Sequence, residues 1–117
     1  MDKDKEIKKI IKRYDKIFKT ADANTREIAK GLYQEIAYMK VIMNELKEQV
    51  LLDGAVIQEM CGNGFVITKE HPAQKQYDKI ISNYTRTCRA IDVIIPDAET
   101  EIADAFEKML NEDDNLM

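Results

Sequence analysis

The sequence predicts an all-α protein built on a central antiparallel helical hairpin, and three observations carry that expectation. Two apolar stripes, Leu32, Ile36, Met39, Met43, Leu46, Val50 and Tyr77, Ile81, Tyr84, Cys88, Ile91, Ile95, advance with the same steps of 4, 3, 4, 3, 4 residues, which is the spacing of a helix face and not of a strand. Helix breakers are scarce, with four glycines and two prolines in 117 residues. Charged residues make up 34% of the chain against 44% apolar, the balance of a helical, charge-rich fold and not of a sandwich or a disordered segment. A chain of this length makes about one domain with one core.

The first element is expected over residues 1–20. "DKEIKKIIKRYDKIFKT" places Ile7, Ile10, Ile11, Tyr14, Ile17 and Phe18 at spacings of three and four among lysines, which makes a basic amphipathic helix of about 16 residues. "TADAN" interrupts it, and Thr20, Asp22 or Asn24 can cap the second helix by accepting backbone N–H bonds. That long helix is expected over 22–53, about 45 to 50 Å at 1.5 Å per residue; its stripe has the heptad form of a coiled-coil seam. Asp53-Gly54 is its natural stop, because glycine accepts the left-handed conformation that closes helices.

The connector 54–71 is too long for a structureless loop in a compact domain. "AVIQEM" and "FVITKE" flank "CGNG", so either a small β-hairpin with Asn63-Gly64 supplying positive φ, or a projecting irregular loop, is expected. Pro72 suits the first turn of a helix over 72–95. The two stripes then pair with Val50 level with Tyr77 and Leu32 level with Ile95. Pro96 ends that helix, Asp97 can cap an acidic helix over 97–112 carrying Ile102, Phe106, Met109 and Leu110, and 113–117 should fray. Ile28, Val41, Ile42, Leu51, Ile80, Val93 and Ile94 lie off the stripes. They need the outer helices or a second subunit to cover them, so a homo-oligomer is expected.

No catalytic constellation is present in the sequence, and an enzyme is not expected. The one histidine, His71, stands beside Pro72, where a capping or exposed role suits it better than general base chemistry. Cys88 falls on a stripe and Cys61 in a glycine loop without an evident base; free thiols in a reducing compartment are favoured over a disulfide, and the scattered Cys61, His71 and Cys88 do not have metal-site spacing. "CGNGF" lacks the later Gly-Lys-Ser/Thr of a phosphate loop. No cofactor or metal is called for.

Charge, in contrast, is strongly polarised. Residues 1–20 carry net +4 and residues 97–117 net -7, within an overall -4. Lys8, Lys9, Lys12, Arg13 and Lys16 fall close together away from the apolar stripe of the first helix, where they can neutralise phosphates without reading bases. Lys75, Lys79, Arg86 and Arg89 make a second basic set. The first 20 residues are charged throughout and no apolar run approaches about 18 residues, so a soluble cytoplasmic protein without membrane contact is expected.

Residues 16–97 resemble the small subunits of phage terminases, the non-catalytic partners of the packaging ATPase, in the short form found in phages and prophages of low-GC Gram-positive bacteria. The resemblance lies in the long helix "AKGLYQEIAYMKVIMNELKEQVLLDGAVI", its closing glycine, the "NG" element, and "HPAQKQYDKIISNYTRTCRAIDVIIP". This last segment is similar to the family's His-Pro-Ala or Ser-Pro-Ala helix start, with Tyr77 after it and an apolar-Pro pair at the end. It implies an oligomeric helical protein that binds double-stranded viral DNA in the bacterial host cytoplasm and delivers it to the large terminase subunit. The chain departs from the pattern after Pro96, where "DAETEIADAFEKML" is acidic and better suited to a protein or a neighbouring basic helix than to DNA. A phage or prophage protein-interaction adaptor that never touches nucleic acid is the alternative expectation.

Overall fold

A computed structural model describes residues 3–54, 56–62, 64–96 and 99–115, the last three by backbone alone. Helix α1 (Lys3–Ile17) leads into α2 (Ala23–Asp53), then strands β1 (Val56–Met60) and β2 (Val66–Glu70), α3 (Pro72–Ile94) and α4 (Thr100–Asn115). The chain is mostly helical, with one small antiparallel sheet.

Helix α1 stops at Ile17, short of the expected residue 20, because the chain tightens there. The Phe18 N–H still reaches the Tyr14 carbonyl, while Lys19 and Ala21 bond only three residues back, to Lys16 and Phe18, the narrower turn with which helices commonly close. Of the three candidate caps, Asp22 is the one used. Its carboxylate accepts from the Thr25 N–H at 2.8 Å and from the Thr25 hydroxyl at 2.9 Å, and these bonds hold its pKa below the ordinary aspartate value. The turn reverses the chain, so Lys3 pairs with Glu45 at 2.5 Å while the Tyr33 hydroxyl donates to Asp15.

Helix α2 carries two neighbours, α1 and α3. Its buried face is accordingly wider than one stripe: Ala29, Tyr33, Ile36, Ala37, Val41, Met43 and Leu46 are buried, while Leu32, Met39 and Val50 are only partly covered. Contacts with α3 run in opposite sequence order, Asp53 to His71, Lys47 over the Tyr77 ring and Lys40 over the Tyr84 ring. The Lys40 and Lys47 ammonium groups stand 5.6 and 5.9 Å from the tyrosine ring centres, where cation and ring attract.

Gly54 ends α2 at φ 85°, with its N–H on the Val50 carbonyl. The connector then forms the hairpin, with Val56 opposite Glu70 and Met60 opposite Val66. Gly64 supplies the positive φ (88°) at the turn, where its N–H bonds to the Cys61 carbonyl at 3.0 Å; Asn63 lies outside the described residues. The molecule measures 63 × 27 × 23 Å. Helix α2 supplies roughly 46 Å of that length, and five strand residues at about 3.4 Å each account for the remainder, so the hairpin extends the long axis.

Helix α4 begins at Thr100, and the expected Asp97 cap lies outside the described residues. It runs on to Asn115, past the expected 112, because no glycine or proline stops it. The core gathers where α1, α2, α3 and α4 meet. Tyr14, Phe18, Tyr33 and Phe106 lie within 5.3 to 6.2 Å of one another as ring pairs, with Ile36, Ile91, Ile95, Ile102 and Met109 around them.

Tyr33 is 1% exposed, and burial, aided by its bond to the Asp15 carboxylate, pushes its phenol well above the ordinary tyrosine range. A raised folded pKa stabilises the fold fully below the unfolded value near 10 and less as pH climbs through the folded value. In urea unfolding between pH 9 and 11.5, the wild type should lose stability more steeply than Tyr33→Phe. Equal slopes would show that the phenol does not contribute.

Candidate nucleic-acid interface

At about 100° per residue, Ile7, Ile10, Ile11, Tyr14, Ile17 and Phe18 of the α1 segment turn toward α2 and the core, and the lysines are left opposite. The structure places Lys8, Lys9, Lys12, Arg13 and Lys16 all on exposed positions of one α1 surface. Lys8, Lys12 and Lys16 repeat every four residues, about 6 Å apart along the axis, with Lys9 beside them. Among the described residues none of these four lysines forms an ion pair. Asp15 is engaged by the Tyr33 hydroxyl and Glu45 by Lys3.

Arg13 differs from the others. Its guanidinium meets Glu112 of α4 at 3.1 Å, so the acidic last helix leans on the edge of the basic first one. The sequence placed Arg13 with the lysines, and it shares their helix. Its pairing with a residue 99 positions away leaves no local signal. The second basic set, Lys75, Lys79, Arg86 and Arg89, is exposed along α3 and is separate from the α1 surface in sequence and element.

His71 takes the capping role. Its Nδ1 accepts the Ala73 N–H at 2.9 Å, and Nε2 stands 3.0 Å from the Asp53 carboxylate. With Nδ1 accepting, the ring proton sits on Nε2 and is donated to Asp53. The imidazole thus ties the end of α2 to the start of α3, at the root of the hairpin. His71→Ala should cost about 0.5 to 2 kcal/mol, and His71→Asn, which keeps a capping acceptor, should recover part of it; urea unfolding midpoints measure both.

Cys61 is half-buried and Cys88 buried, and neither is bridged. Among the described residues no three His, Cys, Asp or Glu side chains gather in a manner suited to a metal ion, and no helix is long and apolar enough to cross a membrane. Comparison with protein-family models, curated proteins and solved structures returned no match for this chain.

Proposed function

We propose that this protein is a non-catalytic small subunit of a phage DNA-packaging terminase, which binds double-stranded viral DNA and hands it to the large ATPase and nuclease subunit in the host cytoplasm. The observation that carries the reading is the exposed group Lys8, Lys9, Lys12 and Lys16 on α1, unpaired among the described residues and directed away from the core. Such a surface supplies mobile ammonium groups at spacings a phosphate backbone can meet, with no rigid donors aimed at base edges. Binding through it is driven by counterion release and carries little sequence preference of its own.

The paired helices α2 and α3 serve in this reading as a stiff scaffold, and the protein works as a homo-oligomer that multiplies one modest basic face. The acidic outer side of α4, with Glu101, Asp104 and Glu107 exposed, repels phosphates and is assigned to contact with the large subunit. An electrophoretic shift series on duplex DNA in rising salt tests the proposal. Affinity should fall steeply with salt; an affinity insensitive to salt, or no binding to any duplex, rejects it. Absence of DNA binding beside a stable complex with another protein would support the adaptor reading, which the exposed apolar residues of α2 and the hairpin also suit.

A further inference from the structure

We infer that the β1–β2 hairpin, with the end of α2, is an interface at which a second copy of this chain docks. Leu51, Leu52, Val56, Met60, Phe65 and Val66 are each more than half exposed, and they cluster in sequence around the hairpin. Single exposed apolar side chains are ordinary, but so many within residues 51–66 concentrate apolar surface at one end of the molecule, as contact sites do. The hairpin cannot cover these residues itself. Val56, Met60 and Val66 share one face, Ile57 and Ile67 the other, by the alternation of paired strands, so folding one face back onto the helices would still expose the second.

The hairpin also lacks what stabilises a sheet. Two isolated strands are marginal in water, and all its strand residues except Ile57 are exposed. The Cys61 N–H bonds to the Phe65 carbonyl at 2.6 Å; alternation from that pair directs the backbone groups of Val56, Gln58 and Met60 away from β2, and those of Val66, Thr68 and Glu70 away from β1. Both edges are thus open to another strand.

A second copy fits better than a charged partner. Glu59 is already paired with Lys69 across the strands, so two hairpins meet without opposing strong like charges. Set antiparallel to itself about Gln58, β1 brings Val56 against Met60 of the second copy and Gln58 against its counterpart, pairing apolar with apolar and amide with amide. The same contact closes the β1 edge.

This inference rests on the oligomeric part of the function proposed above, and light scattering on the full chain separates the two. The wild type should show a multiple of 13.5 kDa. M60E/F65E should fall to the single-chain mass with its helical circular dichroism unchanged, and the milder V56T/V66T, which keeps β-branched side chains, should weaken association at least about tenfold. If both variants keep the wild-type mass, this interface is wrong and the oligomer stands on another surface. A wild type of single-chain mass at high concentration overturns both. In that case, co-flotation of the wild type with phosphatidylglycerol-phosphatidylcholine vesicles, lost in M60E/F65E, would identify a lipid surface as the occupant.

Discussion

Phe106→Ala should lower the unfolding free energy by about 3 to 5 kcal/mol, a large share of the 5 to 15 typical of such a chain. Phe106 is fully buried and its ring meets those of Tyr14 and Phe18, at 5.8 and 6.2 Å. Truncation leaves a cavity between α1 and α4, and neither helix can close it without abandoning the neighbouring Met109 and Ile102 contacts in the same core. Urea unfolding gives the value directly. Val93→Ala is the comparison, because Val93 is 83% exposed on α3; it should stay within about 0.5 kcal/mol of wild type. If the two substitutions cost the same, the aromatic cluster is not the centre of the fold and α4 is held by other means.

The quadruple change K8Q/K9Q/K12Q/K16Q should reduce duplex DNA affinity by about 10² to 10³-fold near physiological salt, and flatten the log affinity against log salt line by about 3 to 4. Both numbers come from removing up to four phosphate contacts, each releasing close to one counterion. Stability should barely move, since all four side chains are exposed and unpaired among the described residues. Arg13→Gln should change the slope by less than any one lysine, because its guanidinium is engaged with Glu112. K75Q/K79Q/R86Q/R89Q removes the same charge from α3 and should alter the slope by less than about 1. Equal effects from the two quadruple variants would mean that net charge matters and the α1 surface does not.

Much of the fold could be read from the chain because its helices declare themselves locally. The stripe from Leu32 to Val50 and that from Tyr77 to Ile95 needed only their spacing, and Gly54, Gly64 and Pro72 each stand where backbone conformation demands them. His71 as a cap was legible for the same reason, its position immediately before a proline-led helix. Tyr33 was not legible. It lies one residue beyond Leu32, outside the regular stripe, and is buried because α1 approaches α2 from a second direction.

The candidate site divides in the same way. That Lys8, Lys9, Lys12 and Lys16 share a face is a consequence of helical geometry alone, whereas the capture of Arg13 by Glu112 needed α4 folded onto α1. Of the apolar residues left off the stripes, Val41 is buried, Ile42, Ile80 and Ile94 are partly covered, and Ile28, Leu51 and Val93 remain exposed. No local pattern distinguishes these outcomes, because whether a helix face is covered depends on which other helix arrives.

The order of residues along the chain therefore determined which segments are helical, where the long helix α2 stops and α3 starts, which side of each is greasy, and where the lysines concentrate, since all of these depend on interactions within a few residues. Tertiary structure alone decided the meeting of Lys40 and Lys47 with two tyrosine rings of α3, and the choice of which apolar side chains stay in water. Those outcomes depend on contacts between segments tens of residues apart, where many alignments satisfy the same periodicity and only packing and charge select one.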